Sequence, residues 1–444
     1  MFAALVMMVL AVPPRVVGAV PDHGDSAVSP LVREVRIEFD QDMAAGGWSI
    51  CGGGPMYPKL EGKPRWETAR VLVIPVALEA AHEYRLSINC PAARNTRAAT
   101  GESAEVTPIW FRTAKDAASA EGAGALTVEV NRAAVEELRA AVDERYAYRD
   151  RVVKDWGAVF EEHRGALESA RTRGAFAREA ARLLKRAEDL HVSLMVGGEE
   201  WNVRFGTASR SVPPNVDANT LADVVPRWKM VSDAVQWGRY DDGVVYVAMH
   251  ECLDAAADEV VAVLSEAKAG VWVKGVVLDL RRNAGGDELA ARRVAGVFLD
   301  KERVYSRNRN RDPGFPEGWS PVYERVVQPA PAADRLGVPV AVLVGRYCMS
   351  SCESLVLMLK GAPRVVTVGE RTFGSSGNPR PTRLTNGVTV WLSRWEDLDT
   401  DGRPVEGVGV EPDVKIECEV DEFQTGDPVL ERGLKEVRVK IDER

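Results

Sequence analysis

The chain has 444 residues, of which 45% are hydrophobic and 28% charged, with a formal net charge of −9. That is the length of two to four domains and the balance of an ordinary soluble globular protein. No Lys/Arg run offers a basic face, so nucleic acid is excluded as a partner.

Phe2 to Val12 form an apolar run that Pro13-Pro14 stops, and Val17-Gly18-Ala19 supplies small residues at the spacing a signal peptidase reads. The run is too short to cross a bilayer as a helix. Residues 1–19 are therefore read as a signal peptide. The expectation is an exported protein, periplasmic or extracellular, with no integral membrane segment after signal removal. An exported chain can hold disulfides, and Cys51 and Cys90 are the expected pair among six cysteines. No CxxC pattern is present, and no metal or other cofactor is expected.

Residues 20–114 read as all-β. VREVRIEFD places Val35, Ile37 and Phe39 on one face, VLVIPV is a buried-strand run, and Tyr84, Leu86 and Ile88 alternate. The pattern suits a β-sandwich. Through "IEFDQDM", "VALEAAHEYRLSIN" and "FRTA" the segment resembles bacterial Ig-like domains, which implies a spacer or adhesive module. Residues 115–124 read as a small polar linker.

Residues 125–241 read as helical. Asn131 is taken as the cap of a helix carrying Val135, Leu138, Val142 and Tyr146. Asp155 caps a second helix that holds His163 on a solvated face, and Phe176 to Ala187 mark a third. From residue 242 to 418 strands and helices alternate, as a crossover α/β core requires. Residues 419–444 read as a charged, loosely packed tail.

Three pieces of this core carry chemistry. Asp279-Leu280-Arg281-Arg282-Asn283-Ala284-Gly285-Gly286 follows a buried strand, and its glycines free backbone N–H groups to face a ligand. Met349-Ser350-Ser351-Cys352-Glu353 joins the strand VPVAVLV to a helix, where a serine hydroxyl meets the positive end of the helix dipole. Gly369-Glu370-Arg371-Thr372-Phe373-Gly374-Ser375-Ser376-Gly377 follows the next strand. Taken alone, the first piece reads rather as a tight strand-to-helix turn and the second as a helix cap.

Together with Gly409-Val410-Glu411-Pro412-Asp413, and in this order, they resemble the tail-specific (C-terminal-processing) serine peptidase family. The resemblance implies that Ser350 is the nucleophile. It assigns the oxyanion hole to Gly285, Gly286 and Ser351, and substrate contact to Gly374, Ser375 and Ser376. The lysine that many members use as base falls on Ser375. Lys360 lies ten residues along the nucleophile helix, roughly 15 Å away at ~1.5 Å per residue. No long insertion looks like a PDZ domain.

A serine needs a neighbouring base, and His191, in Glu188-Asp189-Leu190-His191, resembles the base of the family's tricorn-like branch. His250 is the rival. Glu406, shortly before Gly409-Val410, maps to the carboxylate that orients the base. Asp397-Leu398-Asp399-Thr400-Asp401-Gly402 begins like a calcium loop, but its twelfth position is Val408 rather than glutamate.

The fold class expected is multidomain: an N-terminal Ig-like β-sandwich, a helical cap region and an α/β crossover peptidase core. The function expected is serine-type endopeptidase action on a polypeptide substrate. Two alternatives are an inactive member of the same fold that binds peptide or glycan, and an adhesive role for the Ig-like segment. Nothing in the sequence specifies an oligomeric state.

Overall fold

The computed structural model describes residues 13–120, 126–198, 201–208, 212–270, 272–418, 422–423 and 426–443. The chain divides into two compact units. One holds the residues up to 143 with 149–208 and 380–392; the other holds 144–148, 209–379 and 393–444. No helix among the described residues is long and apolar enough to cross a membrane.

The first unit contains the expected β-rich segment. Val16–Val20, Glu34–Phe39 and Val71–Ala77 pair antiparallel, with Lys59–Leu60 and Arg65–Thr68 also on the last of these. Ile50–Cys51, Glu83–Ile88 and Thr107–Arg112 form a second antiparallel sheet. Alternation decides the core: Val35, Ile37 and Phe39 pack with Tyr84, Leu86, Ile88, Ile109 and Phe111. Cys51 and Cys90 form a disulfide.

The expected cut after Ala19 would fall inside a strand. Val16–Val20 is a strand paired to Glu34–Phe39, and Val16 and Ala19 are buried in the core. Cleavage there would strip a strand and open an apolar face. If the protein is exported, N-terminal sequencing of the mature form should find a start upstream of Val16. A start at Val20 in folded material would refute this.

Helices Val128–Arg145, Trp156–Glu168 and Arg173–Leu184 follow. Asp155 caps the second, accepting from the Ala158 N–H at 3.0 Å. Two expectations fail locally. Asn131 lies inside the first helix, where its side-chain amide donates to Glu168 O and Ala170 O. His163 is buried, with Nδ1 2.6 Å from Glu179.

The 115–124 segment, of which residues 121–124 lie outside the described residues, does not bound a compact unit. The β-rich segment and the helices share a buried ion pair. Arg178 Nη2 donates to both Asp22 oxygens at 2.6 and 2.8 Å, and Thr172 Oγ1 donates to the same carboxylate. Gly174 is needed there, since a Cβ would sit 2.7 Å from Asp22. Removing one partner of a buried pair leaves an uncompensated charge. Asp22→Ala should therefore cost about 3–5 kcal/mol, read by urea unfolding. A chain beginning at residue 126 should lose the cooperative transition of this unit. Full cooperativity in that truncation would overturn the inference.

The second unit is built on a mixed sheet in the order Lys229–Met230, Val235–Arg239, Val244–Met249, Gly275–Asp279, Val340–Val344, Val365–Gly369, Val414–Lys415. From Val244–Met249 onward the pairs are parallel. The central strands are buried on both faces, which explains their unbroken apolar runs. Helices Asp254–Ala269, Glu288–Phe298 and Ser351–Leu359 pack on one face.

The charged tail is corrected as well. Pro428–Asp442 is a helix whose Val429, Leu430, Leu434 and Val437 form an apolar stripe on the opposite face of the sheet. A second, smaller sheet of this unit joins Tyr323–Val327, Arg303–Asn310 and Trp395–Leu398.

Candidate active site

The parallel strands end at one edge of the sheet, where the α/β architecture places ligands. Strand Gly275–Asp279 runs into a turn locked by Arg281. This fully buried guanidinium makes paired hydrogen bonds of 2.7–3.1 Å to Asp279, Asp427 and the Asn215 carbonyl. Asn283 then donates to Met249 O and accepts from the Gly285 N–H at 2.8 Å. The turn thereby holds Gly285 against the next strand's loop.

That loop carries Ser350. Its backbone sits at φ 58°, ψ −131°, a conformation that costs a non-glycine residue about 1–3 kcal/mol. The surrounding bonds hold it there. The Ser350 N–H donates to Ser375 O at 2.7 Å and toward the Glu353 carboxylate at 3.2 Å. The strained turn presents the side chain at the start of helix Ser351–Leu359. At Gly285 (φ 96°) a Cβ would lie 2.7 Å from Ser350 Cβ, so only glycine fits beside the serine.

Three assigned roles change. The Gly285 N–H is committed to Asn283, so Gly285 contributes space and not an oxyanion donor. The Gly374 and Ser375 N–H groups are committed to Glu353 at 2.7 and 2.9 Å, and Ser375 is buried, so these amides brace the loop and are not open donors. The N–H groups of Gly286 and Ser351 donate to no other described residue, and Ser351 Oγ donates to Gly286 O at 2.8 Å, which ties the two together.

Ser350, Ser351 and Gly286 line a cavity of about 470 Å³ with Ser354, Ser376 and Trp395. A larger cavity of about 1150 Å³, lined by Arg282, Arg346, Glu370 and Phe373 among others, holds none of the catalytic candidates.

Glu353 carries the loop. Its buried carboxylate also accepts from Thr372 Oγ1 at 2.5 Å. Burial pushes its pKa up to about 7, against the hydrogen bonds that favour the charged form. Glu353→Ala would leave several buried donors unsatisfied and should lower stability by about 3 kcal/mol or more. Urea unfolding checks this; an unchanged midpoint would show that the loop does not depend on Glu353.

Glu406 is buried and accepts the Ser376 N–H at 2.7 Å. The Tyr148 hydroxyl lies 3.4 Å from Ser376 Oγ. Burial, then the Glu406 charge, drive the Tyr148 pKa well above its ordinary value. Sequence reading missed Tyr148, which lies in the helical region more than 200 positions before its partner.

His191 belongs to the first unit, Ser350 and Glu406 to the second. The imidazole Nδ1 lies 3.9 Å from Asp189 Oδ1, which also accepts the His191 N–H at 2.8 Å. Burial lowers the His191 pKa below 6.5, Asp189 opposes that, and Arg204 adds to it. The rival His250 places Nδ1 3.1 Å from the Asp233 carbonyl. Lys360 is paired with Asp413. Asp397, first residue of the calcium-like loop, is buried and held by Ser306 Oγ and Arg325 Nη1.

Residues 243–416 match the family model of Peptidase family S41. The chain is 26% identical over 227 residues to the carboxy-terminal processing protease CtpA of Bacillus subtilis, covering 51% of this chain and 45% of that protein. It is 32% identical over 168 residues to a chloroplastic C-terminal processing peptidase of Tetradesmus obliquus, covering 37% and 33%. The chain thus spans less than half the length of these relatives. A crystal structure described as a candidate peptidase from Parabacteroides merdae superposes with TM-score 0.59 at 22% identity, covering 71% of this chain and 99% of that one. Mature CPAF superposes with TM-score 0.54 at 11% identity, covering 71% and 98%. These two likenesses concern the fold.

Proposed function

From the peptidase family S41 domain that residues 243–416 carry, we propose that this protein is a serine endopeptidase with Ser350 as nucleophile and His191 as general base. The observation that supports it most is the strained Ser350 turn beside two uncommitted backbone donors, Gly286 and Ser351.

Ser350 Oγ attacks the substrate carbonyl carbon and its proton passes to the His191 imidazole. The carbonyl oxygen becomes an oxyanion facing the Gly286 and Ser351 N–H groups. His191 returns the proton to the leaving amine as the C–N bond breaks. Water, deprotonated by His191, then hydrolyses the acyl-serine and regenerates both groups. No metal or cofactor enters these steps.

The base assignment draws on the serine at position 375, where relatives hold lysine, and on the commitment of Lys360 to Asp413. Glu406 is assigned to orient the base, and Asp189, beside the imidazole, is its competitor. Export and an extracytoplasmic site of action remain part of the proposal, supported by the apolar N-terminus and the Cys51–Cys90 disulfide.

Treatment of the purified protein with a fluorophosphonate, followed by peptide mapping, tests the nucleophile. The label is expected on the peptide carrying Ser350. Absence of label on folded protein over a range of pH would favour a non-catalytic, peptide-binding member of the same fold.

A further inference from the structure

Ser376 joins three side chains inside the second unit. Its N–H donates to Glu406 Oε2 at 2.7 Å and its carbonyl accepts the Trp395 Nε1–H at 2.5 Å, so its backbone is pinned on both sides. Its hydroxyl lies 3.5 Å from the same Glu406 oxygen and 3.4 Å from the Tyr148 hydroxyl. Ser375, the residue before it, accepts the Ser350 N–H at 2.7 Å.

Donor chemistry fixes the direction of this chain. The Tyr148 oxygen accepts the Asp397 N–H at 3.3 Å, which leaves its own proton to donate. An ionised carboxylate only accepts. The Ser376 proton therefore points to Glu406, and the Ser376 oxygen takes the Tyr148 proton. Burial, then the Glu406 charge, hold the Tyr148 pKa well above its ordinary value, so the donor is present at every working pH. Spacings of 3.4 and 3.5 Å are loose for O–H···O bonds, and such contacts in an unliganded enzyme tighten when substrate binds.

Two further facts concern the surroundings. The Ala147 N–H donates to Ser393 O at 2.9 Å, which lays Tyr148 beside strand Trp395–Leu398. Three carboxylates lie along this loop: Glu353 braces Ser375, Asp397 is paired with Arg325, and Glu406 takes both donors of Ser376.

We propose that Tyr148 is a positioning residue of the peptidase, which through Ser376 holds the Glu406 carboxylate in the orientation that steers the base. The proposal rests on the reading of Ser350 as nucleophile and Glu406 as orienting carboxylate. Without the Tyr148 proton the Ser376 hydroxyl can turn away, and Glu406 then loses one of the two donors that Ser376 supplies. The backbone bonds of Ser376 survive that loss, so binding persists while proton transfer slows.

The test follows covalent labelling of the full-length protein by a fluorophosphonate at rising probe concentration. Tyr148→Phe should lower the limiting labelling rate about tenfold and keep the half-saturating concentration within about twofold of wild type. Ser376→Ala should do the same. In the double variant the two losses should not add, because without a hydroxyl at 376 the tyrosine has nothing to act through. A tyrosine that only fills space would give additive losses or a changed half-saturation.

Additive losses, or a folded Tyr148→Phe protein labelled at the wild-type rate, would overturn the proposal. Should Tyr148→Phe fail to fold, Ser376→Ala decides by itself, and wild-type labelling of that folded variant overturns the proposal equally. In each of these cases a labelled Ser350 leaves the peptidase reading standing. Folded wild-type protein that takes no label sinks that reading, and the role of Tyr148 with it.

Discussion

Replacing Ser350 by alanine is expected to lower turnover by about 10⁴- to 10⁶-fold, the scale seen when a nucleophile is removed from a serine peptidase. Fluorophosphonate labelling should vanish with it. The loss should be chemical and not conformational. The Ser350 backbone is held through its N–H, by Ser375 O and the Glu353 carboxylate, and alanine keeps that N–H.

Glycine makes the sharper control. At φ 58°, ψ −131° a side chain is strained, so Ser350→Gly should be equally inactive yet more stable than wild type, by about 1 kcal/mol or more. A strained nucleophile that is stabilised by its own removal is the signature of a turn kept for function. Retained turnover in Ser350→Ala, with loss in Ser351→Ala, would move the nucleophile by one residue.

Replacing His191 by alanine is expected to cost about two to four orders of magnitude in rate, the usual scale for loss of a general base. His250→Ala, whose imidazole faces the Asp233 carbonyl, should stay within a few-fold of wild type. The pH profile carries the second half of the prediction. Burial holds the His191 pKa below 6.5, so the imidazole is already unprotonated at neutral pH. The acid limb of kcat/KM should therefore fall below pH 6.5, lower than a solvent-exposed histidine would place it.

The sign follows from which form works. Activity is fully present above the depressed pKa and is lost as pH falls through it. Asp189 opposes the shift, so Asp189→Asn should move the limb lower still. Stability should rise with pH between the folded pKa and 6.5, because the unfolded chain binds the extra proton there. A dead His250→Ala enzyme beside a near-normal His191→Ala enzyme would reverse the assignment, and the orienting role of Glu406 would fall with it.

Local chemistry was legible in the sequence. Alternation in VREVRIEFD placed Val35, Ile37 and Phe39 in one core, and continuous apolar runs marked the parallel strands. The ordered motifs around Gly286, Ser350 and Gly374 were found because each is a turn whose residue types a few neighbouring bonds dictate. The twin glycines and the serine before the helix are read within such a window.

The tertiary structure decided what depends on a distant partner. Glycine at 285 looked like an oxyanion donor until Asn283 was seen to hold its N–H. Ser375 looked like a substrate contact until Glu353 accounted for its amide. The charged C-terminal segment hid an apolar stripe that only a sheet face could bury. Asp22, Arg178, Arg325, Asp397 and Tyr148 carry no local signal at all. A charged or polar side chain defaults to solvent in a sequence reading, and only its counter-charge or hydrogen-bond partner, brought in from far along the chain, lets it be buried. Sequence by itself therefore determined most of the elements and the turn that carries the candidate serine, while long-range burial decided which polar groups are already paired.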